Sequence, residues 1–150
     1  MRAVIQRVTN ANVAIDGTVK SQIGPGLLVL LGVATGDTAE DVAWLAAKIA
    51  ALRIFPDDAG RMNRSVCEVN GEVMIISQFT LIASTRKGTR PSFNDAARPE
   101  LAIPLYESFV QTISSITGKT AATGEFGADM KVALTNDGPV TLVIDSRHRE

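Results

Sequence analysis

Apolar and polar residues alternate from the start of the chain. Ala3, Ile5, Arg7, Thr9, Ala11, Val13 and Ile15 fall on one face of a strand, and Arg2, Gln6, Asn10, Asn12 and Asp16 on the other. Asp16-Gly17 then reads as a hairpin turn into a second strand over 18–23, and Gly24-Pro25-Gly26 breaks the chain again. The continuous apolar run over 27–33 has the character of a strand buried on both faces. At Thr38 the period changes. Thr38 and Asp41 resemble a capping box, and Val42, Leu45, Ile49 and Leu52 form a stripe at helical spacing, so the pattern predicts a helix over 39–52.

Phe55-Pro56-Asp57-Asp58-Ala59-Gly60 reads as a loop, and 66–69 with 73–81 as a hairpin about Asn70-Gly71. A polar stretch over 84–94 precedes a second helix that begins near Pro99 and carries Leu105, Phe109, Ile113 and Ile116 on one face. Pro104 implies a kink or a later start, and Gly118 is a natural stop. Strands near 120–125, 131–135 and 140–145 close the chain. The predicted order is ββ(βα)2βββ. Two helices cannot cover both sides of so many strands, so an α/β fold with a curved or two-sheet β core and both helices on one side is expected. There is no linker at which to divide the chain, so residues 1–150 are read as a single domain.

Composition narrows the chemistry. A chain of 150 residues buries about two-thirds of its unfolded surface. Its longest apolar run is too short to span a bilayer, and the N-terminus lacks the apolar core and cleavage site of a signal peptide. With Cys67 the only cysteine, no intrachain disulfide can form, which fits a reducing cytoplasm. The formal net charge of -1 argues against a general cationic coat but leaves room for a local basic patch. The only histidine, His148, belongs to the C-terminal tail. No zinc site of ordinary type and no histidine-based triad can be assembled, so no metal or cofactor is expected. Chemistry must come from hydroxyls, amides, backbone donors or the substrate.

Five stretches break the pattern. The strand over 73–81 starts apolar and then admits Ser77, Gln78 and Thr80. As a strand it would place Gln78 and Thr80 on one face, roughly 6.6 Å apart at about 3.3 Å per residue. It is either a strand end whose polar groups bond to neighbouring backbone or a pocket wall with hydroxyl, amide and N–H groups set for a carbonyl substrate. Arg7 interrupts an apolar face, and either snorkels to water or braces something rigid. Thr85-Arg86-Lys87-Gly88-Thr89-Arg90 clusters cations in a loop, either solvated or a phosphate clamp in which Gly88 admits close backbone approach. Phe126-Gly127-Ala128-Asp129-Met130 fits simple hairpin packing. Finally, Asn136-Asp137-Gly138 reads as a hairpin turn, yet Pro139 follows at the first strand position, where it removes a backbone donor. Gly-Pro there asks for a special geometry such as a cis peptide bond.

Taken together these stretches resemble the D-aminoacyl-tRNA deacylase family, also called D-tyrosyl-tRNA deacylases. The residues that carry the resemblance are Met1 to Val8, Ser77-Gln78-Phe79-Thr80-Leu81 and Gly88-Thr89-Arg90-Pro91-Ser92-Phe93, followed by Phe126 to Met130 and Asn136-Asp137-Gly138-Pro139-Val140-Thr141. They appear in the family's order from end to end. The resemblance implies a β-barrel-like α/β domain that forms a homodimer, with each active site at the subunit interface. It implies hydrolysis of the ester between tRNA and a D-amino acid or glycine, as chiral proofreading in translation. By the same resemblance Ser77, Gln78, Phe79 and Thr80 are catalytic, and Phe126 and Met130 line the substrate pocket. Gly138-Pro139 is implied to be a cis dipeptide that enters the partner's pocket and excludes L side chains, with Arg7 holding it in place. The loop carrying Arg86, Lys87 and Arg90 would meet tRNA phosphates. Thr80 would act either as a nucleophile or through its backbone N–H with that of Phe79. The second is favoured, because the sequence offers no base. The competing reading is a non-catalytic dimeric β-domain that binds RNA or a small carbonyl ligand.

Overall fold

The first strand, β1 (Arg2–Ile15), organises the whole β structure. The computed structural model of the protein describes residues 1–149. The N-terminal half of β1 pairs antiparallel with β3 (Gly26–Gly32), and its C-terminal half with β2 (Thr18–Ile23). Helix α1 (Ala39–Ala51) follows, then a small antiparallel ribbon of β4 (Phe55–Pro56) and β5 (Met62–Arg64). Strand β6 (Glu72–Ser77) lies parallel to β3 and is followed by a 3-10 turn (Phe79–Ile82). After α2 (Pro99–Thr117), β7 (Ala122–Thr123) adds in parallel to β6, and β8 (Met130–Asp145) runs antiparallel along the length of β1. The six strands other than β4 and β5 make one curved sheet. It is nearly closed, because Lys20 Nζ and Ser21 Oγ of β2 donate to the carbonyls of Gly124 and Thr123 at the end of β7. The core is thus barrel-like, with the helices packed on it as expected.

Two cores result. Ala3, Ile5, Leu27, Val29 and Ile75 pack outward against Leu45, Ile49, Phe109 and Ile113 of the two helices. Val8, Ala11, Val13, Leu28, Met74 and Ile76 fill the barrel. The expected single odd-numbered face of β1 is therefore corrected. Val8 pairs with Asn136 but Asn10 with Thr135, so Thr9 is an extra residue in β1, and this bulge exchanges the two faces.

The helix signals hold. Glu40 N–H donates to Thr38 Oγ1 and Thr38 N–H to Asp41 Oδ2, which completes the capping box of α1. Gly118 closes α2 in the left-handed conformation at φ 69°. The helix begins at Pro99 and continues through Pro104, so no later start is needed. Tyr106 rather than Ile116 joins Phe109 and Ile113 on its buried stripe, while Ile116 is exposed.

Two other expectations are overturned. Residues 66–69 are not a strand. Ser65 N–H donates to Glu68 Oε2 and Glu68 N–H to Ser65 Oγ, a reciprocal Ser-x-x-Glu closure that winds the segment into turns. The strands expected near 131–135 and 140–145 are one strand, β8, with no hairpin between them. Among the described residues β8 pairs only with β1, so its other edge is open. No helix of the described residues is long and apolar enough to cross a membrane.

Candidate active site

Strand β6 is buried from Val73 to Ile76 and ends where its partner ends. Ser77 is the last residue in register, opposite Leu31, and Gln78 N–H makes the final bond to the Leu31 carbonyl at 2.8 Å. Gly32 terminates β3, so residues after Gln78 have no ladder to join. They close instead into the 3-10 turn, with Leu81 N–H on the Gln78 carbonyl at 3.2 Å and Ala83 N–H on that of Thr80 at 3.1 Å. The strand expected to reach Leu81 is thereby corrected, and Gln78 and Thr80 do not share a strand face. They meet through side chains: Gln78 Nε2 donates to Thr80 Oγ1. The first two N–H groups of the turn, on Phe79 and Thr80, have no acceptor among the described residues.

The end of β6 opens on a cavity of about 280 Å³ that Ser77, Gln78 and Phe79 share with Phe126, Met130 and Tyr106. Two distant motifs, 77–79 and 126–130, therefore face the same space. Met130 comes close because residue 124 is glycine: a Cβ there would collide with the Met130 sulfur. Tyr106, which pattern reading passed over, reaches from α2 to donate its hydroxyl to the Ile75 carbonyl at 2.7 Å, and its ring tilts against Phe126 at 6.1 Å. Burial pushes the Tyr106 phenol up to about 12, so it is a neutral donor here. Its place on the Phe109–Ile113 stripe was the available signal.

Gly138 and Pro139 do not line this cavity. Gln6 pairs with Thr141 and Val8 with Asn136, so Asp137 to Val140 leave the ladder as a wide bulge, with a cis bond between Gly138 and Pro139. Asn136 closes its neck: its Oδ1 accepts Val140 N–H at 2.9 Å and its Nδ2 donates to Thr141 Oγ1 at 3.1 Å. Both Gly138 and Pro139 are exposed at the tip. Gly138 has φ +130°, and a Cβ there would stand 3.1 Å from Arg7 Nη2. Arg7 is mostly buried and does not snorkel to water. Its Nε donates to the Asp137 carbonyl at 3.1 Å and pairs with the Asp137 carboxylate, while Nη1 donates to the Ile54 carbonyl at 2.5 Å. Arg7 thus ties the bulge to the segment that follows α1.

The basic loop is drawn together at its base by paired bonds between Ser84 and Ser92, at 2.8 and 2.9 Å. Arg86, Lys87 and Arg90 are exposed, and Gly88 turns the loop at φ +71°. Phe93 packs edge-on to Phe79 at 5.1 Å, which places the loop beside the cavity rim.

The family model described as D-Tyr-tRNA(Tyr) deacylase matches residues 4–145. The D-aminoacyl-tRNA deacylase of Opitutus terrae is 69% identical over 150 residues, covering 100% of both chains. A solved structure named c-Myc DNA unwinding element binding protein superposes with a TM-score of 0.91 at 38% identity, over 97% of this chain and 98% of that one. A probable eukaryotic D-amino acid tRNA deacylase shares the fold at a TM-score of 0.81 and 16% identity, over 95% of this chain and 97% of that one. A match of this extent, with the family's motifs gathered at one cavity and one bulge, settles the assignment: the chain belongs to the D-Tyr-tRNA(Tyr) deacylase family.

Proposed function

We propose that the protein is a cytoplasmic homodimer that hydrolyses the ester between tRNA and a D-amino acid or glycine, as a proofreading step in translation. The supporting observation is a separation. Ser77, Gln78, Phe79, Phe126 and Met130 adjoin one cavity, whereas Gly138-Pro139 projects outward from a bulge that does not reach it. A second copy would bring the two together. The open edge of β8, with Val143 exposed beyond the bulge, offers a surface for that copy.

In this reading water adds to the ester carbonyl, and the unbonded N–H groups of Phe79 and Thr80 stabilise the oxyanion. The carbon–oxygen bond to the terminal ribose then breaks, and the ribose oxygen takes the proton released by water. Free amino acid and tRNA result. An aminoacyl ester is activated, so orientation and oxyanion binding suffice without a protein base, and the neighbouring ribose 2′-OH assists. The carbonyls of the partner's Gly138 and Pro139 fill the space an L side chain would need. A D side chain or glycine avoids them. Arg86, Lys87 and Arg90 lie on acceptor-end phosphates.

The test is incubation of the purified protein with D-, L- and glycyl-tRNA, with its mass in solution measured alongside. Release of D-tyrosine and glycine but not L-tyrosine by a dimer is expected. A well-folded dimer that releases none of them would favour the non-catalytic binding module instead.

A further inference from the structure

The β4–β5 ribbon gives Phe55 to the helix-side core but lines no part of the cavity, and the residue just before it, Ile54, offers the carbonyl on which Arg7 rests. Ile54 and Phe55 anchor it, both buried. On one side of Ile54, Arg53 forks onto Asn63, with Nε on the Asn63 carbonyl at 2.9 Å and Nη2 on its side-chain oxygen. On the other side, Phe55 pairs with Arg64. The far end is closed by Asp57. Its carboxylate accepts Ala59 N–H at 2.9 Å, Arg61 N–H at 3.0 Å and Asn63 Nδ2 at 3.3 Å. Arg53, Asn63 and the loop tip are exposed, and exposed pairs of this kind add little to stability. Their geometric effect is larger. The Ile54 carbonyl is clamped between two cross-ribbon links, so its position is set by the ribbon and not by the end of α1 alone.

We infer that this ribbon is a positioning element for the Gly138-Pro139 bulge, acting through the Ile54 carbonyl on Arg7, with Arg53 and Asn63 as the positioning residues. Arg7 connects two carbonyls, one immediately before the ribbon and one on the bulge, so displacement of the first moves the guanidinium that holds the second. The inference rests on the reading that the bulge excludes L side chains. It adds that the strictness of this exclusion is set at the protein's surface, remote from the cavity.

The experiment measures the ratio of L- to D-tyrosyl-tRNA hydrolysis by the full-length protein and its variants. Arg53→Ala and Asn63→Ala are each expected to raise the ratio by at least about threefold, the scale of coupling carried through a contact network. Arg7→Ala is expected to raise it further. In the Arg7→Ala background, Arg53→Ala should add nothing, because its route is already cut. A merely structural loss would lower hydrolysis of both esters together and leave the ratio alone. Effects that multiply in the double variant would overturn the inference, as would unchanged ratios for Arg53→Ala and Asn63→Ala when Arg7→Ala raises it. If Arg7→Ala itself leaves the ratio unchanged, the exclusion reading fails and takes the inference with it. Thermal melting at one protein concentration identifies any variant that fails to fold. Arg53→Lys, which keeps one donor, then takes the place of Arg53→Ala and is expected to raise the ratio less.

Discussion

Arg7 and Asp137 are joined at two points: Arg7 Nε lies 3.1 Å from the Asp137 backbone carbonyl and 3.1 Å from its carboxylate Oδ2. The two contacts differ in kind. The carbonyl is part of the bulge itself, whereas the carboxylate is half exposed and screened.

This difference predicts an asymmetry between substitutions. Arg7→Ala strands both the Asp137 and Ile54 carbonyls, and should lower stability by about 1–3 kcal/mol. Asp137→Ala leaves the carbonyl contact in place and should cost less than about 1 kcal/mol. Urea unfolding at a fixed protein concentration measures both. Equal losses would mean that the carboxylate, and not the backbone, carries the tie.

Tyr106 is the only tyrosine, so its ionisation can be followed by ultraviolet absorbance without interference. Burial raises its phenol from 10.0 to about 12. A raised folded value means that its contribution to stability is complete below pH 10.0 and disappears as pH climbs towards about 12. The native protein should therefore titrate near the higher value and the urea-unfolded chain near the lower one. A native transition at the ordinary value would place the ring in water.

Asp41 provides the acid counterpart. Burial alone would raise its carboxyl, but bonds from the Ser146 hydroxyl at 2.6 Å and the Thr38 N–H at 2.8 Å, with the Met1 ammonium nearby, hold it below the usual 3.8. A depressed folded value gives stability that is present above the ordinary carboxylate range and is lost as pH falls through the lower one. Asp41→Asn should thus be less stable than the parent at neutral pH, with the gap narrowing below about pH 4. Urea midpoints recorded against pH provide the comparison.

What could be read from the sequence was local. The capping box of Thr38 and Asp41, the stop at Gly118 and the buried run of β3 each depend on neighbours a few residues away. The face exchange at Thr9 was hidden because a bulge exists only relative to the partner strand, β8. Asn136-Asp137-Gly138 looked like a hairpin for the same reason: nothing nearby reveals that β1 is long enough to pair on both sides of it. At the site, Ser77 and Gln78 stood out as polar residues ending an apolar run. The 3-10 turn that follows depends on where β3 stops, at Gly32. Residues 66–69 are a different case: Val66 and Val69 fit a strand pattern, and the segment turns instead because the Ser65 and Glu68 side chains bond to each other's backbone N–H, which a hydrophobic pattern does not register.

The basic loop should act through charge alone. Arg86, Lys87 and Arg90 make no ion pair among the described residues, so their charge is free for an anionic partner. Replacing all three by Gln should weaken tRNA binding and reduce the salt slope by roughly 0.7–0.9 for each phosphate that is no longer neutralised. The ratio of D- to L-tyrosyl-tRNA hydrolysis should stay as it was, because these groups do not touch the cavity. Filter binding across a salt series tests the first part, and an unchanged slope would count against the loop as a phosphate clamp.

Thr80 separates two chemistries that share one residue. Its Oγ1 accepts a bond from the Gln78 amide, which is a donor and not a base, and nothing among the described residues would take its proton. Its N–H, by contrast, stands unbonded at the start of the 3-10 turn. If the backbone does the work, Thr80→Ala should lower D-tyrosyl-tRNA hydrolysis by less than about tenfold, from the missing tie to Gln78. Loss of a true nucleophile costs about a millionfold in the serine-protease case. Exchanging the Thr80 amide for an ester deletes the N–H and keeps the side chain, and should cost about 100- to 1,000-fold, the usual effect of removing one oxyanion donor. Single-turnover rates for the two variants decide between the atoms. A dead Thr80→Ala with its fold intact would transfer the role to the hydroxyl, and a fully active ester variant would leave the oxyanion without this donor.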